Sequence, residues 1–322
     1  MSEDRGPPRM LMSYGVLGKS VDVTRAVERM AEGGHPRPTI LADSGAFTAN
    51  KLGTPMDPHD YARWLDRWGE HFDYAISLDV IHDVEASWRS HQSIEQITGR
   101  RLMPVVHYPE GVEVFDRYRE AGHRLIAVGG LGIRGRYSPG VRYRWLINLF
   151  RWAEVNDVRF HGLGIGSFPV MYGLPWYSVD ASSWSAAYVY GMIWMFDGDQ
   201  GEMRRLVRNR RNSYDDRNAR VLRSRGIDPA RAADRFTRYW GGIIAADSYR
   251  RAEAWIRTRR GIIAPPTDGT LRRGLPEPEG IRVYLAVISE CDMLMISGGT
   301  DSYRRGGIER RWVPLDEAVP VA

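Results

Sequence analysis

The chain has 322 residues, 43% of them hydrophobic and 26% charged, and a formal net charge of +5. That is enough to bury one large α/β barrel or two smaller domains, and it excludes a short peptide-binding module. A single cysteine, Cys291, can form neither an internal disulfide nor a thiolate-rich zinc cluster, and with lysine only at Lys19 and Lys51 a Schiff-base mechanism has few candidates.

From residue 10 short apolar runs alternate with helical patterns. MLMSYG (10–15) precedes a helix from Asp22, in which Val23, Ala26, Val27 and Met30 share a face. TILADSG follows, then a helix opened by Asp57 and Pro58, a capping residue and a first-turn proline, with Tyr61, Trp64, Leu65, Trp68 and Phe72 at helical spacing. YAISLDV, RLMPVVH, RLIAVGGLG, VRFHGLGIG and WYSVDASSW continue the series, mostly with helices between them. Parallel strands need such crossovers, so the pattern predicts an α/β fold, a (β/α)8 TIM-like barrel, rather than an open sheet. Three segments compete for the eighth strand: the first few residues, YGMIWMF (190–196) and IRVYLAVIS (281–289).

Residues 197–260 read as largely helical. Within 203–260 lie 17 arginines against six acids, a local charge of +11 that leaves the remainder at −6. Arginine binds phosphate bidentately, and the interleaved aromatics can stack on bases or pack beneath helices. A solvated helical face is the competing explanation. The division expected is a barrel over 1–196, an arginine-rich helical segment over 197–280, and a strand and tail over 281–322 that could complete the barrel. No run approaches the roughly 18 apolar residues of a membrane span, and the opening MSEDRGPPRM has no apolar signal core, so a cytoplasmic protein without a membrane partner is expected.

In a parallel barrel the carboxyl ends of the strands converge on one mouth. Those ends carry Ser13 and Tyr14, Asp43, Asp79, His107, Gly129 and Gly130, Gly164 and Gly166, and Asp180. Any one acid could simply cap the next helix. Together, three carboxylates and an imidazole without lysine or thiolate suggest acid–base and nucleophilic work at an electrophilic carbon, as in cleavage of glycosidic bonds. Glycines at the other strand ends admit a flat ligand such as a purine.

LADSGAF, SLDV, PVVH, AVGGLG, GLGIGS and YSVDASSW, in that order over about residues 10–195, resemble the motifs of the tRNA-guanine transglycosylases, and most closely those of the phage and bacterial enzymes that insert 7-deazaguanines into DNA. The resemblance implies exchange of guanine for a free 7-deazaguanine, such as 7-cyano-7-deazaguanine, through a covalent aspartyl-glycosyl intermediate. Asp180 would be the nucleophile and Asp43 the general acid and base. Asp79 would bind the amino and ring N–H edge of the purine. His107 stands where the family commonly has glutamine and would contact the base carbonyl. Gly129, Gly130 and Leu131 would supply backbone contacts, Ser44 would lie beside the base, and Phe47 and Leu163 would sandwich its ring.

The family's tRNA enzymes carry three cysteines and a histidine as a zinc site after the nucleophile strand, and this chain has no such set. No metal and no cofactor are expected. The arginine-rich segment stands in its place, and Arg204, Arg205, Arg208, Arg210 and Arg211 are expected to grip the phosphates of double-stranded DNA while a flipped guanine enters the mouth. The alternatives are a zinc-free tRNA-guanine transglycosylase and a non-catalytic nucleic-acid-binding barrel. A phage-infected bacterium is the expected setting.

Overall fold

The computed structural model describes residues 7–17, 21–131, 138–209, 213–224, 227–233, 238–261, 263, 266, 268, 270, 280–289, 292–293 and 295–297. The chain opens with β1 (Arg9–Ser13), the short helix α1 (Tyr14–Leu17) and α2 (Val23–Glu32). Asp22 caps α2 by accepting from the Arg25 amide at 3.0 Å, and Val23, Ala26 and Met30 turn into the core as their spacing predicts. β2 (Thr39–Asp43) leads into α3 (Ala46–Leu52) and α4 (Pro58–Trp68). Asp57 caps α4 and Pro58 fills its first turn, where a missing N–H costs nothing.

The same unit repeats through β3 (Tyr74–Ala75), α5 (Val84–Thr98), β4 (Val105–His107), α6 (Val112–Glu120), β5 (Leu125–Gly129), α7 (Pro139–Asn156), β6 (Arg159–Gly162), α8 (Phe168–Gly173) and β7 (Ser178–Ala181). After β7 the chain makes a long excursion. It runs through α9 (Ala186–Tyr190), β8 (Met192–Asp197), β9 (Glu202–Val207), α10 (Asp216–Ser224), α11 (Pro229–Ala233) and α12 (Arg238–Arg260), then returns as β10 (Arg282–Val287). No helix among the described residues is long and apolar enough to cross a membrane.

Eight strands form one parallel sheet in the order β3-β2-β1-β10-β7-β6-β5-β4. Its two edges meet just beyond the named strands. Ile76 and Met103 form a parallel bridge, and the Ser77 amide donates to Met103 O and the Met103 amide to Ala75 O, both at 2.8 Å. The sheet therefore curls until its edges are joined, which leaves few unpaired backbone groups for water or a second chain. Of the three candidates for the eighth strand, 282–287 takes the place, seated between β1 and β7.

Alternation along the strands separates two cores. Leu11, Leu41, Ile76, Val105, Ala127 and Tyr284 belong to an inner cluster, while Met10, Met12, Ile40, Ala42, Val106 and Val128 pack outward with the helices. At the base, Glu253 of α12 ties the excursion to the sheet. Its Oε1 lies 2.5 Å from Arg9 Nη1 and 3.2 Å from Arg257 Nη1, and its Oε2 accepts the Val283 amide at 2.8 Å.

The excursion is not all helical. β8 and β9 form an antiparallel hairpin with Met192 opposite Val207 and Asp197 opposite Glu202, so it runs across the boundary expected at residue 196. The Asp197 carboxylate accepts from the Asp199 and Gln200 amides, and Gly201 takes φ 62° to complete the turn. β9 reads EMRRLV, and its adjacent arginines mask the strand until β8 pairs with it.

Candidate active site

The last inward position on each strand lies at the carboxyl-end rim, where the next loop begins. Ser13 of β1 stands opposite Asp43 of β2, and His107 of β4 stands opposite Gly129 of β5. Asp43 feels the negative charges of both Asp180 and Asp79, so the three acids expected from the sequence face one mouth.

Asp43 is perturbed further than Asp79. Burial, then the charges of Asp180 and Asp79, push its carboxyl from 3.8 up to about 7, opposed by the Ser13 hydroxyl and the Gly45 amide. That amide donates to Asp43 Oδ2 at 3.0 Å. Gly45 is required here: its φ is 83°, and a Cβ would lie 2.6 Å from Ser13 Oγ and 2.8 Å from Gly15 Cα. The DSGAF segment thus bends its carboxylate back over the strand end because the residue after Ser44 has no side chain.

Asp79 and His107 form the second part of the rim, with Nε2 of the imidazole 3.2 Å from Asp79 Oδ2. Burial pushes the carboxyl up to about 6 and draws the imidazole down. The His107 ring lies against Gly129, where a Cβ would come within 2.5 Å of its Cδ2 and 2.8 Å of its Nε2. Glu110, which the sequence reading left aside, anchors this turn by accepting the His107 amide at 3.0 Å. Burial raises its carboxyl as well. No strand-end motif marks it, because it lies three residues into the loop.

Asp180 is held by one amide and faces a buried imidazole. Its Oδ1 accepts the Gly164 amide at 2.8 Å and lies 3.4 Å from His161 Nε2. His161 is fully buried, and its Nδ1 is 2.8 Å from Ser178 Oγ. The imidazole therefore sits one inward position below the rim, beneath the carboxylate, and a single orientation serves both contacts.

The other expected contacts are distributed around this mouth. Phe47 is 62% exposed, a planar side chain left in solvent at the start of α3. Leu163 lies beside Gly129, whose Cβ would fall 3.4 Å from its Cδ1. Gly130 takes φ 77°, and Leu131 O accepts from Arg142 Nη1 at 2.6 Å. Ser44 is buried, with its hydroxyl accepting the Ala46 amide at 3.3 Å, which gives it a part in the start of α3. A cavity of about 670 Å³ opens between α3 and α5 with Asp79, Asn50, Met56 and Arg89 in its wall. Of the three rim acids only Asp79 lines it.

Among the expected arginines, Arg204 is engaged by Asp197 at 3.3 Å and Glu202 at 2.5 Å. Arg205, on the same strand, is exposed, and Arg208 is partly buried. Arg210 and Arg211 lie outside the described residues.

One cluster was not foreseen. His91 and Glu95, one turn apart on α5, meet His123, which precedes β5. The signal available in the sequence, a histidine and a glutamate four residues apart in HQSIE, lacks a partner until the fold supplies it 28 residues further on. No family model, curated protein or solved structure matches this chain.

Proposed function

We propose that this protein exchanges a guanine in a polynucleotide for a free 7-deazaguanine, with Asp180 as nucleophile and Asp43 as general acid and base. The observation that carries the reading is the difference between two carboxylates at one mouth. Asp43 is raised to about 7, while Asp180 is fixed by an amide and set above a buried imidazole. One acid suited to trading protons beside one suited to attack is the pairing that glycosyl transfer requires.

The reading takes the curled sheet as a (β/α)8 barrel with its mouth at the strand carboxyl ends. An Asp180 oxygen bonds to the anomeric carbon as the bond to guanine N9 breaks, and the protonated Asp43 gives its proton to the departing base. The incoming 7-deazaguanine then returns its N9 proton to Asp43 as N9 attacks the same carbon, and the ester to Asp180 breaks. Both carboxyl groups end as they began. Asp79, with His107 beside it, faces the donor edge of the purine, and the exposed ring of Phe47 and the partly buried Leu163 offer apolar faces above and below it. The resemblance of the six strand-end segments to the transglycosylases supports the same assignment.

DNA is the polynucleotide we favour, because 203–260 carries +11 where the tRNA enzymes carry a cysteine zinc site. Incubating the purified protein and a labelled 7-deazaguanine with duplex DNA and with tRNA separately tests this. Label entering DNA, with a covalent adduct that is absent in Asp180→Asn, is the expected result. Label entering tRNA alone retires the DNA assignment, and label entering neither, with no adduct, leaves a non-catalytic binding barrel.

A further inference from the structure

At the amino end of the barrel, opposite the mouth, the aromatic cluster under α5 contains a set of ligand atoms. His91 is 2% exposed and His123 1%. Their Nε2 atoms are 3.0 Å apart, and Glu95 Oε2 is 3.7 Å from His91 Nε2. All three ligand atoms lie within 4.8 Å of one another. For a tetrahedral ion with bonds of about 2.0–2.1 Å, neighbouring ligand atoms stand about 3.3 Å apart, and the two closest separations here fall on either side of that value.

A backbone amide and a guanidinium hold the carboxylate in place. Glu95 Oε1 accepts the Leu102 amide at 2.7 Å, and Oε2 lies 3.4 Å from Arg101 Nη1, which leaves Oε2 a further lone pair for a ligand. Tyr118 meets both histidine rings edge-on, at centroid distances of 5.4 and 6.0 Å, which fixes their planes. Two imidazoles facing nitrogen to nitrogen share at most one proton between them, whereas both lone pairs are used at once by a cation.

The geometry points to a site for a divalent transition metal, Zn²⁺ by preference, held by His91 Nε2, His123 Nε2 and Glu95 Oε2, with a water completing the tetrahedron. Two nitrogens and one oxygen suit Zn²⁺ better than the hard cations Mg²⁺ or Ca²⁺, which take oxygen ligands and larger coordination numbers. The ion would pin α5 to the segment entering β5. It is independent of the base-exchange reading, because none of its ligands reaches the mouth.

The test uses tag-free, full-length protein, stripped with chelator and titrated with Zn²⁺ by calorimetry and with Co²⁺ by visible absorption. One equivalent per chain is expected, with the d–d bands of tetrahedral Co²⁺, and affinity falls by about 10–100-fold or more in His91→Asn, His123→Asn or Glu95→Gln. No uptake by folded wild-type protein overturns the proposal, as does unchanged uptake by His91→Asn/His123→Asn with a native circular-dichroism spectrum. Should the variants fail to fold, X-ray absorption of zinc-loaded wild-type protein decides. Two imidazoles and a carboxylate, with water as the remaining donor, support the site, and any other set of protein ligands rejects it.

Discussion

At the scale of single residues, the rim acids define a pH window. Asp79 is ionised, and so able to accept from a purine N–H edge, above about 6, while Asp43 retains its proton below about 7. Formation of the covalent adduct should therefore follow a bell with flanks near those two values. In Asp79→Asn the acid limb should vanish along with much of the affinity for the base. Asp180→Asn should lower exchange by on the order of 10³-fold or more, since a group acting as nucleophile has no substitute. Asp43 also bears on stability. Its folded-state carboxyl is raised above 3.8, so from there to about 7 the folded protein binds more protons than the unfolded chain and stability declines as pH rises. Asp43→Asn removes that loss, and urea titrations at pH 8 should show it more stable than wild type by about 1–3 kcal/mol. A variant less stable than wild type at pH 8 would contradict the assigned cause.

At the scale of elements, two contacts decide whether the mouth is assembled. Gly129 of β5 is the floor for the His107 ring on β4, and a methyl group there would stand 2.8 Å from Nε2. Gly129→Ala should swing the imidazole away from Asp79, and the histidine resonances of this variant should shift while the fold is retained. At the base of the sheet, Glu253 joins α12 to β1 and β10 through Arg9 and the Val283 amide. Glu253→Ala leaves a buried guanidinium and a buried N–H without that partner, a change that costs about 3–5 kcal/mol in comparable sites. A lower urea midpoint with an unchanged slope would report it.

At the scale of the whole molecule, the long excursion between β7 and β10 carries the arginine-rich stretch 203–260. Arginine count alone is a poor guide to phosphate binding, because Arg204 is already held by Asp197 and Glu202 whereas its neighbour Arg205 is exposed. If this face meets nucleic acid, Arg205→Ala should weaken binding similarly across sequences and reduce the salt slope by about 1. Arg204→Ala should change the slope less, since its charge is already balanced locally. Equal effects in fluorescence-anisotropy titrations would argue that the hairpin face is not the one used.

The sequence by itself determined the alternating α/β plan, the start of α2, the cap of α4, and the rim residues Asp43, Asp79, His107 and Asp180. Each of these is a local signal: an apolar run that stops at a polar residue, or a capping residue ahead of a helical period. Only the tertiary structure decided that residues 282–287 fill the gap between β1 and β7, that EMRRLV is a strand, that Glu110 anchors the His107 turn, and that His123 meets His91 and Glu95. Strand pairing and side-chain convergence depend on partners far away in the chain, and a residue's own neighbours in sequence carry no trace of which distant segment will lie against it.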